Sequence, residues 1–429
     1  MILPDLPRAI GSFIPRRNQR LRLLAHTRHI VAVMLPLGAL VGFLVALALR
    51  GLGALEPRLA GHAGRSLAAL VLPGAGLVLN ALWLQRTGIG GVSLFKDLDL
   101  AHRDPYRVFP FLRSLGKVVG CVLTIGFGGS AGVEGPGKWF GAAVGLQYHR
   151  ALRFLAGKAS LVRHLARPAI VMVRGGAAAA LAAVFRAPLS GALMAAEHEG
   201  RLSAGSTVPC LISAAAGYFL FTRVAGAEPL LPIPGPYPFA LRGRELLWAL
   251  VLGLVCGLAA SLYLGARRRL GDLLGRFPLP LRALAAGVGL GLLALPSHLL
   301  WHDFPVTQGG GLDLVRQLVL GETLPQEAVA FLALKLLATA LTFAGGGIGG
   351  LWLPSLAMGA AAGAAFDAWV GLGQTGYFTL IGAASVAGAT HGTLLVPVVF
   401  LAETTGQTML VVPALLGTTV AWLVAREGS

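Results

Sequence analysis

Charged residues are scarce in this chain of 429 residues: Asp, Glu, Lys and Arg together make up only 12%. Soluble domains carry about 25%, so the deficit excludes an ordinary water-soluble fold. Acidic side chains are the scarcer sign, 18 against 35 Lys and Arg. Cysteine is almost missing. Cys121, Cys210 and Cys256 stand singly and far apart among apolar residues, which supports neither a disulfide framework nor a zinc site and leaves them as packing residues. Aromatic side chains do not alternate with the basic ones as a base-stacking surface needs, so the net charge of +17 does not describe a nucleic-acid binder.

Apolar residues fill the space that charge leaves, at 55% of the chain and a mean hydropathy of +0.74. The runs 30–49 and 246–266 carry no charge, and each can cross a hydrocarbon core that needs about 20 residues. Between Leu336 and Ala402 the only carboxylate is Asp367. Arg8, Arg16, Arg17, Arg20, Arg22 and Arg28 precede the first run, and Arg267, Arg268 and Arg269 follow a later one. Such clusters remain cytoplasmic, which predicts an N-terminus inside a cell (inner) membrane and a secondary contact with anionic lipid. The first run is too long for a signal-peptide core and is expected to span.

Glycine is abundant, 60 residues, about twice the usual 7%. It has no collagen-like period and so serves close helix packing or irregular backbone within the membrane. The expected organisation is all-α: a basic N-terminus over 1–28, a first membrane half over 29–228, a Pro-rich loop over 229–243 and a second half over 244–425. Helices are expected near 30–52, 66–84, 107–127, 137–155, 168–185, 186–199, 205–224, 244–266, 282–300, 327–343, 350–369, 376–391, 393–403 and 408–425. Several are too short to cross a bilayer. Aligning 126–145 with 344–363 pairs Gly128, Gly129 and Gly132 with Gly346, Gly347 and Gly350, and Pro136, Gly141 and Gly145 with Pro354, Gly359 and Gly363. A further stretch follows each, 186–199 and 391–405, both with an acidic residue near the end after a hydrophobic run. Chance agreement in a Gly-rich chain is the alternative to two related halves. Short interrupted helices in matching positions of two halves point to a binding site at mid-membrane.

Helix N-termini attract an anion through unpaired N–H groups and aligned dipoles without a full positive charge that would hold it too tightly. Gly-rich turns let the backbone approach the ion, and Pro136 and Pro354 suit a first helical turn. Glu134, in Gly132-Val133-Glu134-Gly135-Pro136, is a carboxylate within the membrane and thus a functional candidate. Ionised, it competes with an anion for the N–H donors; protonated, it withdraws. The alternative is an ordinary helix cap.

These residues resemble the CLC family of chloride channels and proton-coupled chloride transporters over about 30–425. Gly132–Pro136 is similar to the family's G-R/K-E-G-P motif, whose Glu is a gate. Gly349-Gly350-Leu351-Trp352-Leu353-Pro354 resembles G-G-x-F-x-P. Ala187-Pro188-Leu189-Ser190-Gly191, running on to Glu197, resembles A-P-L-x-G, and Gln308-Gly309-Gly310-Gly311 resembles S-G-G-G. The resemblance implies an inverted repeat with many tilted, partly non-spanning helices, a homodimer with a pore in each subunit, and no cofactor. It implies anion contacts from the backbone at Gly132, Val133, Gly135, Gly350, Leu351 and Trp352, with Glu134 as gate and proton carrier.

Departures narrow the expectation. G-S-G-I-P appears only as Arg86-Thr87-Gly88-Ile89-Gly90, so Thr87 is either an anion ligand or an ordinary loop residue. Val133 replaces a basic residue. His198 stands where exchangers carry an internal proton-transfer Glu, and is either a relay or a packed interfacial side chain. None of the six tyrosines fits the inner gate, and no regulatory tail is expected. The expected activity is chloride transport as an H+/Cl− exchanger. The alternatives are a passive, voltage-gated-type channel or a transporter preferring fluoride or another small anion. Enzyme activity is not expected. Glu197-His198-Glu199, the only compact cluster, lacks the H-E-x-x-H metal spacing. Retention of Glu134 speaks against a purely structural protein.

Overall fold

The computed structural model describes residues 17–60, 68–89, 101, 104–158, 168–197, 202–231, 242–301, 305–371 and 375–427, with backbone alone for 17–29, 52–60, 68–69 and 427. Sixteen α-helices and one 3-10 turn make up the described chain, which has no strands. In order they are α1 (Arg17–Ala60), α2 (Ala68–Thr87), α3 (Pro105–Val108), α4 (Phe111–Gly126), α5 (Glu134–Lys158), α6 (Ala169–Phe185), α7 (Pro188–Ala196) and α8 (Ala204–Ala225). They continue as α9 (Gly243–Gly275), α10 (Leu279–Leu300), α11 (Leu312–Leu320), α12 (Pro325–Ala344), α13 (Trp352–Val370), α14 (Tyr377–His391), α15 (Leu395–Thr405) and α16 (Val411–Glu427).

Among the described residues, six segments are long and apolar enough to cross a membrane: Ile30–Gly51, Ala204–Ala225, Gly243–Gly275, Leu279–Leu300, Pro325–Ala344 and Thr408–Arg426. Leu247, Leu254, Leu258 and Leu262 on α9 are each half or more exposed. A stripe of that kind is unfavourable against water and natural against lipid. At 33 residues, α9 is about 50 Å long and must tilt or protrude from a core of about 30 Å.

The centre belongs to two shorter helices. In α6 every residue from Met172 to Phe185 is buried, and in α14 every residue from Tyr377 to Ala389. Helices apolar on all sides are enclosed by others. Their neighbours approach through glycine. Gly141 of α5 meets Gly176 of α6 backbone to backbone, and Gly359 of α13 meets Gly382 of α14 in the same way. α6 ends in a left-handed residue at Arg186 (φ 53°) and α14 at Gly392 (φ 68°). The two halves thus present matching central pairs.

Two long helices and one short one differ most from expectation. α1 begins at Arg17, because the basic segment contains good helix formers and no proline after Pro15 until the apolar run is under way. α9 continues through Arg267–Arg269, since arginine favours helix and nothing breaks it before Pro278. α11 was not expected as a helix. It is amphipathic, burying Leu314, Val315, Leu318 and Val319 while Asp313 and Arg316 pair outside, so a search for continuous apolar runs passes over it. Residues 232–241 of the Pro-rich loop lie outside the described residues.

Candidate functional site

The strands of backbone that enter α5 and α13 meet directly. Gly132 N–H donates to the Gly350 carbonyl at 2.8 Å, and Gly350 N–H donates to the Gly132 carbonyl at 2.6 Å. They form an isolated antiparallel bridge between the two glycines that the sequence repeat pairs. A pseudo-twofold axis through this point would relate the two helix N-termini. The surrounding bonds follow the same relation. Ile348 N–H donates to Thr124 Oγ1 and Ser130 N–H donates to Thr342 Oγ1, both at 3.0 Å. Each threonine hydroxyl in turn donates back to a carbonyl four residues earlier, Gly120 and Ala338, at 2.8 Å. Gly128 and Gly346 turn with φ of 94° and 91°.

Glu134 opens α5 and is 2% exposed. Its side chain folds over the bridge, so that a Cβ at either Gly132 or Gly350 would occupy the carboxylate's position. Leu353 N–H, in the first turn of α13, donates to Oε1 at 3.2 Å. Oε2 is buried without a partner. A carboxylate therefore sits on the N-terminus of the opposite helix, where dipole and unpaired N–H groups favour negative charge. Gly135 packs against Gly349 and Gly350. Val133 is half-buried, and its carbonyl accepts from Gly137 N–H at 3.0 Å. Leu351 caps α13, and Trp352 begins it fully buried.

The sequence-predicted residues Gly132, Val133, Glu134, Gly135, Gly350, Leu351 and Trp352 are thus gathered in one place. Thr87 closes α2, and its hydroxyl donates to the Trp83 carbonyl at 2.7 Å; it makes none of the hydrogen bonds that join this cluster. His198 lies outside the described residues.

Several supporting residues went unnoticed in the sequence. Lys335 is fully buried and donates to the Gln308 and Gly309 carbonyls, each at 2.8 Å. Gly309 N–H donates to the Gly129 carbonyl at 3.1 Å, and Ser130 Oγ bonds Thr339 Oγ1 at 2.8 Å. The turn 308–311 is therefore clamped beside the glycine bridge. The repeat register pairs Lys335 with Lys117, which is buried over the Trp139 ring at 3.1 Å from its centroid. Extending the glycine alignment toward the N-terminus would have found both the lysine and the threonine pairs.

A protein-family model described as voltage gated chloride channel matches residues 75–426. The chain belongs to this family. Relatives include an uncharacterized protein of Methanocaldococcus jannaschii, 28% identical over 82% of this chain and 83% of its own. A putative chloride channel protein ClcB-like of Ralstonia nicotianae is 27% identical over 84% of this chain and 82% of its own. Among solved structures, a slow cyanobacterial Cl−/H+ antiporter superimposes with a TM-score of 0.75 at 19% identity, covering 93% of this chain and 94% of that one. A CLC-type fluoride/proton antiporter does so at 0.73 and 24% identity, covering 93% and 95%. These structures share the all-helical CLC fold. CLC proteins are transporters or channels and not enzymes, and this chain is an integral, multi-pass membrane protein of CLC-type anion transport.

Proposed function

We propose that this protein carries chloride, or an anion of similar size, through the site where the N-termini of α5 and α13 face one another, with Glu134 as the gate. One observation carries the reading: the Glu134 carboxylate occupies the N-terminus of α13, bonded to Leu353 N–H, where a transported anion would compete for the same donors. Protonation removes the charge that holds the side chain there and opens the position. Because each opening takes up a proton, we read the cycle as H+/Cl− exchange; the neighbour titled a slow Cl−/H+ antiporter supports this choice. Val133, Gly135, Leu351 and Trp352 would supply backbone contacts, whereas the Gly132 and Gly350 N–H groups are spent on each other and the Thr87 hydroxyl donates to Trp83.

A second reading is exchange of fluoride. Val133 in place of a basic residue lowers the positive potential around the site, and the other neighbour is titled a fluoride/proton antiporter. A passive channel is the third outcome to be tested. The working form would be a homodimer in the cell's inner membrane, with the basic N-terminus on the cytoplasmic side. Purified protein in liposomes, followed with halide and pH electrodes under a halide gradient, separates these readings. Uphill proton movement lost in Glu134→Ala indicates exchange, halide flux without protons a channel, and no flux of any halide refutes anion transport.

A further inference from the structure

We propose that Trp352 and His391 form an inner side-chain station that binds the transported anion together with a proton. The inference rests on the anion-transport reading above. Trp352 is fully buried at the start of α13, and its indole N–H has no hydrogen-bond partner. A buried donor without a partner is uncommon and is open to a water molecule or an ion. Three rings enclose the indole: Phe185 stacked at 5.5 Å, Phe400 edge-on at 5.7 Å and His391 edge-on at 5.1 Å between centroids.

His391 is the last residue of α14, where the helix carbonyls favour a positive ring. As a residue it is half-buried. Its Nδ1 lies 3.0 Å from the Ala387 carbonyl and 3.1 Å from Thr390 Oγ1. Thr390 Oγ1 donates to Ser355 Oγ at 2.9 Å, which ties the ring to the first turns of α13. With Nδ1–H donating to Ala387, an added proton goes to Nε2.

The helices packed around α14 and the nearby α5 carry these charges. Lys138 on α5 and Arg267 on α9 act on it. Glu134 on α5 is bonded to Leu353 N–H. Asp367 on α13 is held at the opposite end of α14 by Phe378 and Thr379, and Glu403 on α15 is taken up by Leu189 and Ser190 N–H. Asp313 on α11 pairs with Arg316, and Arg426 on α16 lies over Trp422. Basic groups thus act on the ring, and an anion beside the indole N–H would stabilise an added positive charge on it. Anion and proton would enter and leave this station as a pair.

Isothermal titration of chloride, and separately fluoride, into the purified full chain tests the station. The titrations are repeated in buffers of different ionisation enthalpy to read proton uptake. Glu134→Gln serves as the background, so that the gate contributes no proton. In that background the anion is expected to take up a proton on binding below neutral pH. Adding His391→Gln abolishes the uptake and leaves binding measurable. Adding Trp352→Phe, which keeps a ring but no N–H, weakens binding about tenfold at every pH, the loss of one hydrogen bond to a charged acceptor. Where His391→Gln does not give a monodisperse protein, His391→Asn takes its place. Undiminished proton uptake without the histidine, or unchanged affinity in Trp352→Phe, overturns the station. If liposome flux of the unaltered protein persists in that case, anion transport stands and only this inference falls.

Discussion

Removing the carboxylate of Glu134 should make the protein bind its anion more tightly. Oε1 accepts from Leu353 N–H at 3.2 Å, and the side chain fills the space above the Gly132–Gly350 bridge. An anion arriving at α13 must displace it. A hydrogen bond to a charged group contributes about 1.5–3 kcal/mol net, and each 1.4 kcal/mol is about a factor of ten in affinity. Part of this is offset, because Oε2 is buried without a partner and a carboxylate so placed is not at its most stable. Glu134→Ala is therefore expected to raise halide affinity about tenfold or more. Glu134→Gln keeps an oxygen acceptor but loses the charge, giving a neutral bond of about 0.5–1.5 kcal/mol and a smaller gain. Calorimetric titration of chloride and fluoride into detergent-purified protein measures the series. Affinity in Glu134→Ala equal to or below that of the unaltered protein would refute competition between carboxylate and anion.

Other expectations concern the frame that holds the site. Thr124→Val leaves Ile348 N–H buried and unpaired, and Thr342→Val does the same to Ser130 N–H. Each should cost about 1–3 kcal/mol, seen as a lower Tm in detergent, and the two losses should be alike. Glu403→Ala removes the acceptor for Leu189 and Ser190 N–H at the start of α7, whose N-cap Ala187 offers none. A loss of about 1–2 kcal/mol, typical of a missing helix cap, is expected in the same assay, and an unchanged Tm would count against the cap. Gly359→Val drives a side chain into the Gly382 backbone and should prevent folding, whereas Gly157→Ala, in open space, should leave the elution profile on size exclusion unchanged.

Membrane residence, the helical class and the residues of the central cluster were legible without coordinates. Few charges and long apolar runs permit no other solvent for the chain, and a helix is what satisfies such backbone in lipid. The spacing of glycine and proline around Glu134, repeated around Gly350, marked both turns because few residues other than glycine tolerate the close approach. Amphipathic α11 was less legible, since its polar face hides it from a hydropathy search.

Contacts between distant segments belong to the tertiary structure alone. Nothing in the local sequence says that Gly132 and Gly350 pair with each other, that Thr124 and Thr342 accept from the Ile348 and Ser130 N–H groups of the opposite half, or that Lys335 bonds the carbonyls of Gln308 and Gly309. The same holds for His391, which reads as a helix-end residue until α14 brings it against Trp352. Composition and period act through the solvent and the local backbone, so they determine the environment and the helices. Which donors face which acceptors depends on how those helices pack, and that packing placed the carboxylate of one half on the helix N-terminus of the other.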